Sequence, residues 1–179
     1  MRPDPNNHHR HSIRLPGYDT SQAGAYFVTM VTQGRACLFG EVVEGEMRLN
    51  PPGQMVERWW YELNNKFPTV ALGEFVVMPN HFHGVIIINN DPVDGAEKQG
   101  AHTGAPLPTI IQWFKTMTTN EYIRGVKQLG WEPFAGKLWQ RNYYEHIIRN
   151  DAELERIDIY ITNNPANWQA DDENPGKSP

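Results

Sequence analysis

Residues 75–89, FVVMPNHFHGVIIIN, constrain the fold more than any other stretch of the chain. Two apolar, β-branched runs, 75–78 and 84–89, flank Pro79-Asn80-His81-Phe82-His83, and such runs so closely spaced read as two adjacent strands. In an extended chain residues i and i+2 point to one face, so His81 and His83 stand side by side while Phe82 turns the other way into a core. Both imidazoles are then expected to face solvent or substrate. Neutral imidazole suits divalent ions, and two such ligands leave coordination positions open for a substrate oxygen. A pair of ordinary histidines fits the same pattern, so the motif alone leaves both readings open.

The remaining elements fall around this pair. Residues 25–32 (AYFVTMVT) are rich in aromatic and β-branched types and predict a first strand. Glu44-Gly45 between Val42-Val43 and Met47/Leu49 predicts a hairpin over 41–49. Asn50-Pro51-Pro52 opens a helix with a capping side chain and prolines that cost no hydrogen bond; Met55, Trp59, Leu63 and Phe67 line its buried stripe, and it ends near Phe67-Pro68. Helical spacing returns over 108–126 through Ile111, Phe114, Met117 and Tyr122. Residues 138–148 read as a strand, and Asn150 with Glu153 as a capping box for a last helix reaching about Asn163, stopped by Pro165. Strand, hairpin, helix, strand, strand, helix, strand, helix is the order of an α+β protein. The expected architecture is a ferredoxin-like antiparallel sheet with helices on one face.

At 179 residues the chain suffices for one domain, expected over 23–169 with a mobile loop over 90–107. Residues 1–22 read as an extended basic arm, and 170–179 as a loose acidic tail. The longest apolar candidate, 85–88, is far short of a membrane span, the N-terminus lacks the apolar core of a secretory signal, and Cys37 is the one cysteine. The expected location is the cytoplasm, with no membrane partner. Cys37 has no neighbouring base and no triphosphate-binding Gly-rich loop is present, so neither a thiol nucleophile nor ATP is implied.

A net charge of −5 argues against nucleic acid, but its distribution does not. Segment 111–149 is net +3 and includes Lys115, Arg124 and Arg141, whereas 150–179 is net −5. Arg10 and Arg14 add charge to the N-terminal arm, with His8, His9 and His11 interleaved. Trp139, Gln140, Arg141 and Asn142 mix an aromatic with donors, a composition suited to stacking bases and holding phosphates. Arg10, Arg14, Lys115, Arg124, Trp139 and Arg141 are therefore the candidate DNA contacts, with the acidic tail held outside. Solvation of exposed faces explains the same charges equally well.

Four segments taken together carry a resemblance. Residues 12–18 (SIRLPGY), 78–84 (MPNHFHG), 139–146 (WQRNYYEH) and 160–165 (YITNNP) resemble the REP-associated tyrosine transposases, bacterial relatives of the single-tyrosine HUH transposases. The resemblance implies the HUH endonuclease fold with a C-terminal tyrosine-bearing helix. It further implies His81 and His83 as ligands of a divalent metal, Mg²⁺ or Mn²⁺, Tyr160 as nucleophile, and Asn164, one helical turn on, as third ligand. The implied activity is metal-dependent cleavage and rejoining of single-stranded DNA at palindromic hairpins through a 5′-phosphotyrosine. The implied partners are the hairpins of repetitive extragenic palindromes, engaged by a monomer or a homodimer. Competing readings are a domesticated, non-catalytic hairpin binder and a phosphoesterase using water, in which Tyr160 only packs beside Ile157 and Ile161. Tyr143 and Tyr144 are rival nucleophiles on opposite strand faces. His146 is read as a satisfied structural histidine.

Overall fold

The computed structural model describes residues 23–90 and 104–177. The expected arm, with Arg10 and Arg14, and most of the expected loop 90–107 lie outside the described residues. Strands β1 (Gly24–Val31), β4 (Val70–Val77), β5 (His81–Ile88) and β6 (Tyr144–Ile148) form one antiparallel sheet in the order β4-β5-β1-β6. Strands β2 (Gly40–Val43) and β3 (Glu46–Leu49) make a separate hairpin. Its turn residues Glu44 and Gly45 have φ of 52° and 79°, the left-handed pair that matches the strand twist in a two-residue turn. Helices α1 (Pro51–Lys66), α2 (Leu107–Leu129) and α3 (Asp151–Thr162) complete an α+β, ferredoxin-like domain.

The two faces of the sheet are covered differently. Tyr26, Val28 and Met30 of β1 and Phe82, Ile86 and Ile88 of β5 join the main core under α1 and α2. The alternate residues Phe27 and Val85 meet Ile161 of α3 in a smaller cluster on the opposite face. Helices α1 and α2 thus share one face, and the C-terminal helix lies across the other. At Gly84 the indole of Trp60 from α1 packs onto the strand backbone: a Cβ there would stand 2.6 Å from Cζ2 of Trp60, so only glycine admits the indole.

Helix α1 begins as its sequence predicts, with Asn50 Oδ1 accepting from Gly53 N at 2.9 Å. Its apolar stripe keeps the expected Met55 and Leu63 but takes Trp60 inward in place of Trp59, with Val56 beside it. Trp60, fully buried, enters the core against Phe82 (ring centroids 4.5 Å apart), whereas Trp59 lies at the margin and donates from Nε1 to Glu121 of α2 at 2.7 Å. Helix α2 runs beyond the expected Val126 and ends at Gly130, left-handed at φ 70°. The expected strand 138–148 is regular only from Tyr144. Before that, Trp139 makes a single bridge with Thr32, and residues 141–143 leave the ladder. Among the described residues no helix is long and apolar enough to cross a membrane.

Candidate metal centre and tyrosine

The β4–β5 turn is held rigidly before the histidines begin. Met78 N donates to His81 O (2.8 Å), Leu38 N and Phe39 N both donate to Pro79 O (2.9 and 3.0 Å), and Thr32 N donates to Asn80 O (2.9 Å). His81 and His83 then fall on one face by strand alternation, their ring centroids 4.7 Å apart. Contrary to the expectation of solvent-facing rings, both are buried, at 0% and 4% exposure. Thr29, the register partner of His83 on β1, places Oγ1 2.8 Å from His83 Nδ1, and the Phe27 ring stacks on the imidazole at 5.5 Å. His81 Nδ1 stands 2.9 Å from Asn80 Oδ1.

Helix α3 carries Tyr160 over this face. Ile161 anchors the helix in the apolar cluster with Phe27 and Val85, and its neighbour Tyr160 sets its ring 5.3 Å from that of His83 and 6.0 Å from that of Phe27. Tyr160 remains half exposed. Of the rival tyrosines, Tyr144 pairs with Thr29 on the same face, its ring 6.2 Å from Phe27, while Tyr143 faces the Lys115 ammonium.

Asn164 lies beyond the last regular turn, since α3 ends at Thr162, two residues before it, and Pro165 follows. Its side chain is buried, and its Oδ1 makes no hydrogen bond among the described residues. An acceptor so placed is costly unless a cation or donor meets it. Among the described residues, Asp171 joins the two histidines in a ligand-like group: one donor atom from each of His81, His83 and Asp171 lies within 4.8 Å of the others, with His81 Nε2 3.7 Å from Asp171 Oδ2. Two imidazoles and a carboxylate form a donor set suited to a divalent first-row ion, and the buried Asn164 oxygen is a further candidate. The residues present therefore fit a divalent metal ion.

The tail expected to be loose and outside is thus part of this site. Trp168, largely buried, sets its ring 6.0 Å from His81, Glu173 is buried with its carboxylate 2.9 Å from Arg35 Nε, and Glu173 O accepts from Asn80 Nδ2 at 2.7 Å. Sequence reasoning missed Asp171 by reading 171–173 as a solvated acid run. The signal available was Trp168, an indole in an otherwise polar segment, which needs an apolar seat.

Several expected DNA contacts are placed elsewhere. Trp139 is buried against Phe39 and Phe114, and its Nε1 donates to Thr118 Oγ1 at 2.9 Å, so it offers no face to a base. The Lys115 ammonium is turned inward to Gln140 O at 2.9 Å and to Arg141 O and Asn142 O at 3.4 Å, and burial lowers its pKa to about 8. It fastens the 140–142 loop rather than presenting a free charge. Arg141 and Arg124 are exposed, the latter 4.0 Å from Glu121. His146 donates from Nε2 to Glu153 Oε1 at 2.6 Å, and Arg149 N donates to the same carboxylate, which is held below the ordinary glutamate range by the Arg149 amide and by His146. That arrangement secures the start of α3.

No protein-family model matches the chain. A Haemophilus influenzae protein described as uncharacterized is 38% identical over an alignment 173 residues long, with 92% of this chain and 92% of that protein covered. Among solved structures, a REP-associated tyrosine transposase bound to a REP hairpin superposes with a TM-score of 0.54 at 19% identity, over 80% of this chain and 67% of the other. A likeness at that identity speaks to fold alone. The chain therefore belongs to one family with the Haemophilus influenzae protein, and its fold matches that of a REP-associated tyrosine transposase.

Proposed function

We propose that this protein is a metal-dependent single-stranded DNA endonuclease and strand transferase that cleaves at palindromic hairpins with Tyr160 as nucleophile. The observation that carries the reading is one juxtaposition: a His81–His83–Asp171 group with ligand atoms within 4.8 Å, and a half-exposed Tyr160 whose ring lies 5.3 Å from His83. A phenol with a pKa of about 10 is a weak nucleophile at neutral pH. A divalent ion held by His81, His83 and Asp171, with Asn164 a further ligand, would polarise a non-bridging phosphate oxygen and draw off charge during attack.

The chain's own groups do the rest. Phe27 and Ile161 fix α3 so that the Tyr160 ring lies against His83, and its half exposure lets the strand reach it. In cleavage the Tyr160 oxygen forms a bond to phosphorus and the bond from phosphorus to the 3′ oxygen breaks. The phenol proton leaves to water and the 3′ oxygen takes one up. The products are a 5′-phosphotyrosine and a free 3′-OH, and the reverse reaction joins a new 3′ end. A single strand exposes its bases and phosphodiester to such a site, and a folded hairpin adds a duplex handle. The fold likeness to a transposase bound to a REP hairpin supports that class of substrate.

The test is incubation of end-labelled single strands carrying palindromes with protein and Mn²⁺ or Mg²⁺, followed by a denaturing gel. A covalent protein–DNA adduct is expected with the hairpin strand and none with the fully paired duplex. Tyr160→Phe should lose the adduct, by at least about 10³-fold in rate, while retaining binding. An adduct that persists in the variant shows that another residue attacks; binding without any adduct in the native protein supports the non-catalytic hairpin binder.

A further inference from the structure

Asn80 is fully buried at the turn before β5, and its side chain meets three partners. Nδ2 lies 3.0 Å from Arg35 O and 2.7 Å from Glu173 O, and Oδ1 lies 2.9 Å from His81 Nδ1. Backbone carbonyls only accept, so the amide end that faces two of them must be the NH₂, and both of its hydrogens are then engaged. Turning the amide over would press its oxygen against two carbonyl oxygens. The remaining end is therefore Oδ1, which also only accepts. His81 Nδ1 must supply the proton between them, and in a neutral imidazole the lone pair then sits on Nε2. That nitrogen is the one 3.7 Å from Asp171 Oδ2.

We infer that Asn80 is a positioning residue that fixes His81 as the Nδ1–H tautomer and so aims a lone pair at the candidate metal centre. The inference rests on the proposed role of His81 as ligand only for its consequence in metal binding; the proton on Nδ1 follows from the hydrogen bonds alone, and in the neutral ring the tautomer follows with it. His83 is a built-in contrast. Its Nδ1 partner is the Thr29 hydroxyl, 2.8 Å away, which can donate or accept and so dictates neither tautomer. One arm of the Asn80 clamp arrives from Glu173, 93 residues further along. Glu173 N donates to Asp171 Oδ1 at 2.7 Å, and the Arg35–Glu173 ion pair holds the same stretch. The segment after α3 thus brings a candidate ligand, Asp171, and also completes the clamp that orients His81. Partners of this kind, one shell out from a metal, typically change its affinity by about 10–100-fold.

The experiment uses the full chain, ¹⁵N-labelled at histidine and stripped of metal, at about pH 8, above the ordinary histidine range. Long-range ¹H–¹⁵N correlation reports which ring nitrogen carries the proton. The native protein should show His81 as one tautomer protonated at Nδ1. Asn80→Ala should give a mixture of tautomers and weaken Mn²⁺ binding, read from the EPR signal of free Mn²⁺, by about 10–100-fold. Thr29→Val should leave the His81 tautomer unchanged. A native His81 protonated at Nε2, or an Asn80→Ala variant that keeps the Nδ1–H form, overturns the inference. Should Asn80→Ala fail to fold, the native spectrum alone still decides. Failure of the functional reading looks different: a His81 fixed as expected in a protein that binds no Mn²⁺ leaves Asn80 in its role and removes the metal.

Discussion

Strand β5 carries two unlike surfaces on one stretch of backbone. Its even-numbered residues, Phe82, Gly84, Ile86 and Ile88, face α1 and α2 and are packed as tightly as sequence permits: Phe82 touches Trp60, Phe75 and Phe114, and Gly84 has no side chain because Trp60 occupies the space. Its odd-numbered residues begin with His81 and His83 and only then become apolar, with Val85 in the cluster beneath α3. Both surfaces are buried, so burial does not distinguish them. What does is the chemistry available to each buried atom. The even face satisfies itself by dispersion and area, and the odd face holds ring nitrogens whose hydrogen bonds to Thr29 and Asn80 set their orientation. A period of two lets one strand be core and site at once.

The largest expected effect breaks the even face. Phe82→Ala deletes a ring with no exposed surface that meets three other aromatics, and should cost about 3–5 kcal/mol in urea unfolding. A loss below about 1 kcal/mol would mean that the core around Trp60 collapses readily into the gap, and that the tight packing of this face is not where its stability lies.

The second prediction sharpens the contrast from the other side. His83→Ala, one residue along, removes a ring that stacks on Phe27 and bonds Thr29, so its intrinsic cost should be smaller, about 1–2 kcal/mol. Its main effect should be on linkage to metal. Native protein at a Mn²⁺ concentration 100 times the dissociation constant should gain about 2.7 kcal/mol, and the variant nothing measurable. Thermal melts with and without Mn²⁺ compare the two directly. If the ion stabilises His83→Ala as much as the native chain, the odd face is only a second core.

Much of this was legible from local pattern. The strand alternation that sets His81 and His83 against Phe82, the Asn50 and Asn150 caps, and the Glu44-Gly45 turn are each decided within a few residues, and each is found. What was not legible depends on distant chain. A helical stripe through Met55 and Leu63 is compatible with either Trp59 or Trp60 inward, and the choice falls to Trp60 because Gly84, some 20 residues on, leaves room for it. Trp139 beside Gln140 and Arg141 has the composition of a nucleic-acid surface, yet its indole is taken by Phe39, which precedes β2, and by Phe114 and Thr118 of α2. Asp171 joins His81 only because the chain turns back after α3 and seats Trp168. No spacing rule reaches across 90 residues, so the two histidines could be read from sequence and their acidic companion could not.

The smallest effect tests whether the helices over the even face are held by charge as well as by packing. Glu121 of α2 accepts from Arg58 and from Trp59 Nε1, both on α1, with Arg124 4.0 Å away. Burial pushes its carboxyl up, but the two hydrogen bonds and the neighbouring guanidinium charges outweigh it, and the group is held below the ordinary glutamate value. A carboxyl depressed in the folded state contributes stability that is present above its unfolded pKa and is lost as the pH falls through its folded one. Glu121→Gln keeps the shape and an acceptor for Trp59 while removing the charge. At pH 7 it should lower stability by no more than about 1 kcal/mol, as expected for a pair open to solvent. The difference should shrink once the native carboxyl protonates, below about pH 4, and at high salt. Melting curves of both proteins from about pH 7 down to pH 3 make the comparison. A gap that stays constant over that range would assign the α1–α2 contact to hydrogen-bond geometry, and the even face would then owe nothing to charge at its outer layer either.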